Sequence, residues 1–286
     1  MGFLGWNRRN NQHIIFQKPA MDELKKEYSF VDMHVHTRFS HDSKTPISML
    51  MKKAEFTGIG MAITDHKRVE GAIEASKQNR VLVIPGIEIA SREGKEVILY
   101  FYSVKDLIDY FEKYLKYSNN PVRKPNNIIT KSIKYVKSDR TMADLVEKAN
   151  SYACLKSIPH PYTYLNKSSY MFFSRKKLRD TLRRIEAVEV FTSTNRHFMN
   201  KRARNWAVRK GKAFTAGSDA HTLNEFGSAF VACKANTVEG VLDAIKKKKI
   251  IIIGEEIKIS SGLKTAVEMN RSKRSKDWDD ILAQSH

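Results

Sequence analysis

Five short segments of the 286-residue chain concentrate histidine and carboxylate side chains. Asp32-Met-His34-Val-His36 sets two imidazoles at i and i+2, which an extended chain turns to the same side. Thr64-Asp65-His66 follows an apolar run at 59–63, and Glu88 lies in Pro85-Gly-Ile-Glu-Ile89 just past a run at 81–84. Pro159-His160-Pro161 and Gly217-Ser-Asp219-Ala-His221 close two further apolar runs. Imidazole nitrogen mixed with carboxylate oxygen suits Zn²⁺, Mn²⁺ or Fe²⁺, and the donors are too many for one tetrahedral ion. A carboxylate can bridge two ions, holding them close enough to clamp a phosphoryl oxygen and share a hydroxide. Any one segment alone could hold an ordinary core histidine. All five fall near the carboxyl end of a predicted strand, where a parallel barrel or sheet places its active site.

The elements that must carry these residues alternate at βαβ spacing. Strands are predicted at 29–33, 59–63, 81–84, 96–102, 153–158, 186–190, 213–216 and 250–253, apolar throughout instead of alternating, as strands buried on both faces read. Helices are predicted at 22–28, 48–56, 69–78, 104–117, 142–150, 200–210 and 238–247. Gly58 and Gly60 end the 48–56 helix. Residues 118–140, with two prolines and four asparagines, interrupt the rhythm. Tyr110, Phe111, Tyr114 and Tyr117 recur at helical spacing, which favours a packed helix face over a base-stacking platform. With no Pro/Gly/Ser-rich linker, a single α/β domain is expected, preceded by an arm at 1–28 and followed by an extension at 256–286.

The motifs DMHVHTRFSHDS (32–43), ITDH (63–66), PGIEI (85–89), IPHP (158–161) and AGSDAH (216–221) resemble those of the polymerase-and-histidinol-phosphatase (PHP) metal-dependent phosphoesterases, in order and spacing, over 29–255. The resemblance implies a distorted seven-stranded (β/α) barrel with a helical insertion or cap at 103–152. It implies hydrolysis of phosphate esters by metal-activated hydroxide, with two or three divalent ions. His34, His36, Glu88 and Asp219 would hold a first ion. Glu88 and His160 would hold a second. Asp42, His66 and His221 would hold a third, with His41 the alternative to its neighbour Asp42. One departure stands out. Relatives carry a histidine in a Gly-x-Glu-Val-His context, whereas this chain reads Gly94-Lys-Glu-Val-Ile98. Ile98 cannot ligate, so the second ion is expected to keep only Glu88 and His160 and to bind loosely or arrive with substrate.

A phosphate ester needs cationic partners. Arg38, Lys67 and Arg196 follow the ligand segments or a strand end and are candidates to grip phosphate. Arg38 is also placed with the catalytic machinery, and His197 is the candidate acid for a leaving group. The chain carries 51 Lys and Arg against 31 Asp and Glu, a net charge of +20 that admits a phosphorylated small molecule, nucleic acid or an anionic membrane face. The basic clusters match no known nucleic-acid module. A phosphorylated small molecule or nucleotide is therefore the expected substrate, with a nuclease second and a non-catalytic binding or subunit domain third. The longest wholly aliphatic run, 250–253, is too short to span a bilayer, so a cytoplasmic protein without a membrane partner is expected. Cys154 and Cys233 sit in no CxxC pair, which argues against a disulfide framework or a cysteine-ligated zinc.

Overall fold

Apolar runs become the staves of a barrel. The computed structural model describes residues 13–15, 21–118, 137–163, 168–174 and 178–255. Its strands are β1 (His13–Ile15), β2 (Ser29–Val35), β3 (Ile59–Ile63), β4 (Val83–Ala90), β5 (Glu96–Phe101), β6 (Cys154–Ile158), β7 (Ala187–Thr192), β8 (Ala213–Gly217), β9 (Ala229–Cys233) and β10 (Ile251–Gly254). They form one sheet in the order β1-β10-β9-β2-β3-β4-β5-β6-β7-β8. Nearly every residue of β2 to β8 is buried, which explains the absence of polar alternation in the sequence.

The run from β2 to β8 curls back on itself. Val35 forms a parallel bridge with Ala220, just past β8, where the His36 amide donates to the Ala220 carbonyl at 3.0 Å. At the other end of β2, residues 29–31 pair antiparallel with β9. The closed form is the expected α/β distorted barrel, with β9, β10 and β1 added beside β2. Tyr100 of β5 is fully buried, and its hydroxyl donates to the Met33 carbonyl of β2 at 2.8 Å, a tie across the interior.

Helices α1 (Met21–Lys25), α2 (Ile47–Thr57), α3 (Glu70–Ser76), α4 (Val104–Tyr114), α5 (Met142–Ala149), α6 (Tyr170–Phe173), α7 (Arg179–Arg183), α8 (His197–Arg209) and α9 (Val238–Lys246) fill the connections. Gly58 ends α2 with φ of 67°, a left-handed cap open to glycine. Tyr110 of α4 is buried and donates to the Leu145 carbonyl of α5 at 3.0 Å, and Phe111 and Tyr114 pack against the core, whereas Tyr117 is exposed.

Two features differ from the expectation. Strand β5 runs antiparallel to both β4 and β6, breaking the all-parallel rhythm. Strands β1 and β9 have no counterpart among the predicted strands. Residues 119–136 of the expected insertion, and residues 256–286 of the expected C-terminal extension, lie outside the described residues. The basic stretch 271–276 and Arg175, Lys176 and Lys177 do too.

Candidate metal centre

Strand ends deliver the ligands, and backbone bonds hold those ends in register. Beyond β3 and β4 the ladder continues through the motif residues themselves. His66 and Glu88 form a parallel bridge, and the Lys67 amide donates to the Glu88 carbonyl at 2.9 Å. Three of the non-glycine residues with positive φ sit at these turns: Lys67 (51°), His160 (24°) and Asp219 (55°). Such strained backbone concentrates at functional sites.

His34, His36, Glu88 and Asp219 converge as four donors. His34 Nε2 lies 3.1 Å from His36 Nε2, 3.3 Å from Glu88 Oε2 and 3.4 Å from Asp219 Oδ1. His36 Nε2 lies 3.4 Å from Glu88 Oε2 and 3.3 Å from Asp219 Oδ1. A tetrahedron with metal–ligand bonds of about 2.0–2.1 Å has edges of about 3.3–3.4 Å. These five separations lie near that length, and His34, His36 and Asp219 form one group able to chelate an ion, with Glu88 against both imidazoles.

A second group is built from Asp42, His66 and His221 beside His36. Asp42 Oδ2 lies 3.2 Å from both His66 Nε2 and His221 Nε2. His41 stands outside this group, its Nε2 at 3.7 Å from the same oxygen. A third group joins Glu88 Oε1 to His160 Nε2 at 3.4 Å. Glu88 thus turns Oε2 to His34, His36 and His66, and Oε1 to His160. Asp42 Oδ1 is buried and accepts no hydrogen bond among the described residues, as a metal-binding oxygen would. Several clusters able to chelate metal ions are present.

Residues outside the motifs' histidines orient them. Glu189 of β7, fully buried, accepts from His34 Nδ1 at 3.0 Å, leaving Nε2 to face the other donors. Its second oxygen accepts from the His160 amide at 2.8 Å and from Thr192 Oγ1 at 3.0 Å. His221 Nδ1 donates to the Asp219 carbonyl at 2.8 Å, and His36 Nδ1 lies 3.2 Å from Ser40 Oγ. Asp32 accepts from the amides of His34, Ser218 and Gly227 and from Ser218 Oγ, locking β2 to the loop after β8. Asp65 does the same for the Thr37 amide and hydroxyl. Burial pushes the carboxyls of Asp32 and Asp65 up to about 6, against the pull of these hydrogen bonds. Both aspartates brace the ligand loops.

The clustered imidazoles and carboxylates shift one another's protonation. Burial disfavours imidazolium, yet the hydrogen bond to Glu88 and the charge of Glu96 push His160 up to about 9. Against the same opposition, Asp42 and Asp219 push His221 up to about 10. His36 goes the other way, down to about 3, through burial and its imidazole neighbours, His221 first. Burial opposes ionisation of Glu88, but His66 and His34 hold it well below the usual carboxylate range.

The residues expected to handle phosphate and the leaving group lie at three separate places. Arg38 is half-exposed and pairs with Glu74 of α3 at 3.0 Å, so its guanidinium is engaged outside the donor clusters. Lys67 is buried and donates to the Ser118 carbonyl, committed to the chain's own backbone. Arg196 and His197 are exposed at the start of α8, beyond the end of β7. Two carboxylates of the site carry no signal in the motifs: Glu189, and Glu96 of β5, which is buried with His160 Nε2 at 3.7 Å. Position 189 belongs to no motif of its own. Glu96 lies in the very segment that Ile98 sets apart.

A barrel with clustered imidazoles and carboxylates at its strand ends defines a catalytic, metal-dependent phosphoesterase. The chain belongs to the PHP domain family: the PHP domain matches residues 32–188, and the PHP-associated C-terminal model matches 198–250. An uncharacterized protein of Methanocaldococcus jannaschii is 24% identical over 249 residues, covering 87% of this chain and 88% of its own. Among solved structures, the lesion-specific endonuclease of Pyrococcus furiosus is similar, with TM-score 0.60 and 19% identity over 79% of this chain. Endonuclease Q in complex with a 27-mer duplex bearing an abasic lesion is similar at TM-score 0.59 and 20% identity over 77% of this chain. The chain spans 57% and 56% of those two endonuclease chains. The expectation that nucleic acid is a disfavoured partner is corrected by these neighbours, which are nucleic-acid-processing enzymes. No helix among the described residues is long and apolar enough to cross a membrane.

Proposed function

We propose that the protein is a metal-dependent nuclease or nucleic-acid phosphodiesterase. The observation that carries this reading is a set of clustered imidazole and carboxylate donors able to chelate metal ions, on a chain of net charge +20. The likeness to the two endonucleases supports it. A polyanion is attracted by such a charge in a way that one small phosphate is not. The donor set is also open on one side, since Asp42, Asp219 and His221 keep 19–24% side-chain exposure while His34 and Glu88 are sealed.

His34, His36, Glu88 and Asp219 hold a first ion, Glu88 and His160 take part in a second, and Asp42, His66 and His221 hold a third. Two or three ions of Zn²⁺, Mn²⁺ or Fe²⁺ supply Lewis acidity and an activated water when bound. The protein's own part is orientation: Glu189 fixes the His34 tautomer and Asp32 fixes the loop bearing Asp219. Arg196 and His197, exposed at the start of α8, are proposed to contact a backbone phosphate and the leaving oxygen. The test is a substrate panel on metal-loaded protein: single- and double-stranded oligonucleotides, a duplex with an abasic site, and phosphomonoesters. Cleavage of oligonucleotides, lost in Asp219→Ala, is expected. Monoester turnover with no oligonucleotide cleavage would overturn the reading.

A further inference from the structure

We infer that Glu96 is a protein ligand of the second metal position, taking over from the imidazole that Ile98 cannot supply. Strand register comes first. In the antiparallel pair of β4 and β5, Ile98 faces Glu88 and Glu96 faces Ala90. Residues 96 and 98 share one face of the strand. Because β4 runs toward the ligand-bearing rim, the step from position 98 back to 96 is a step toward that rim. A histidine at 98 would meet Glu88 directly. A glutamate at 96 begins one pleat further out and reaches back, beside an Ala90 whose methyl leaves it room.

The side chain ends beside the second position. Glu96 is 2% exposed, with His160 Nε2 at 3.7 Å, and His160 Nε2 is 3.4 Å from Glu88 Oε1. Donor atoms of His66, Glu88 and Glu96 all lie within 4.8 Å of one another. Around a shared ion at about 2.1 Å from each donor, the 3.4 Å and 3.7 Å separations subtend about 110° and about 120°. Both are ordinary ligand–metal–ligand angles.

The donor chemistry then differs between positions. The first has two imidazoles and two carboxylates; the second, with Glu88, Glu96 and His160, has one imidazole and two carboxylates. More oxygen and less nitrogen shifts preference from Zn²⁺ toward Mn²⁺. The second position is accordingly the one to exchange in Mn²⁺.

This inference rests on the metal cluster proposed above but not on the nucleic-acid substrate, and its readout is binding without substrate. Metal-stripped full-length protein is titrated with Mn²⁺, following free ion by electron paramagnetic resonance. Glu96→Gln, nearly isosteric, should lose one Mn²⁺ equivalent or weaken that step on the order of tenfold or more. The remaining steps should be unchanged, and the circular dichroism should match wild type. Adding Ile98→His to Glu96→Gln should restore the ion, now with Zn²⁺ favoured over Mn²⁺. A Glu96→Gln titration superimposable on wild type overturns the inference. Should that variant fail to fold, anomalous scattering at the manganese edge from wild-type crystals decides. An ion about 2.0–2.2 Å from a Glu96 oxygen is expected; an ion on Glu88 and His160 with Glu96 outside bonding range overturns it. A nuclease assay that fails leaves this result untouched.

Discussion

Glu189 reaches two ligands at once, through the His34 ring and the His160 amide. Glu189→Ala frees the His34 ring to rotate and leaves the His160 amide unmatched. Metal affinity should fall by about 10–100-fold, with Glu189→Gln intermediate because it retains an acceptor; competition with a chelating dye measures both. Protons give a second prediction. His160 and His221 titrate at about 9 and about 10 in the metal-free fold, above the roughly 6.5 of free imidazole. Their stabilising contribution is complete below about pH 6.5 and is lost as pH rises through those values. An ion must displace these protons, so binding at pH 7.5 should release protons and tighten as pH climbs toward 9. Calorimetry in buffers of different ionisation enthalpy reads the release, and a value of zero would rule out this proton balance. The histidines that make this cluster were legible because two-residue spacing and strand-end position are sequence properties. Glu189 and Glu96 were not, since a carboxylate in a strand looks the same whether it meets solvent, a lysine or an imidazole.

Strands set how closely the ligands approach. Gly217 ends β8 against His34, and a Cβ added there would collide with the His34 backbone and Cβ. Gly217→Ala should therefore push β2 and β8 apart. A destabilisation of about 1–3 kcal/mol is expected in chemical denaturation, with weaker metal binding in the same protein. Unchanged metal affinity would mean that the collision is absorbed away from His34. Most strands were legible as continuous apolar runs of strand length. Direction was not. β5 (EVILYF) is buried along its whole length, and a fully buried strand carries the same pattern whether its neighbours are parallel or antiparallel. β9 was missed because three of the five residues in Ala229-Phe-Val-Ala-Cys233 are alanine or cysteine, giving little β-branched signal.

At the scale of the molecule, charge and metal act on different steps. Ions should be needed for the chemistry, while the +20 charge should govern encounter with a polyanion. Oligonucleotide affinity should fall steeply between about 50 and 200 mM salt, with a log–log slope near 0.9 per phosphate contacted. A flat profile would remove the polyanion reading. Chelation should lower the thermal midpoint as well as abolish turnover, because five buried or half-buried imidazoles and their carboxylates lose the cation that reconciles them. Fold and metal chemistry could be read from sequence because they rest on residue type and spacing. The substrate could not, because net charge has no address: Lys67 and Arg38, both near ligands in the chain, are engaged by Ser118 and Glu74 in space.

Ser118 and Ser138 meet through their hydroxyls at 2.6 Å, so the chain leaves the described barrel and returns to it through a single doorway. Lys67 holds that doorway beside the strand end that carries His66. A segment whose two ends already touch transmits no tension to the strands, and its length is thermodynamically almost free to vary. A short turn joining Ser118 to Ser138 would span no more than that contact, and the barrel's closure through Val35 and Ala220 lies elsewhere in the chain.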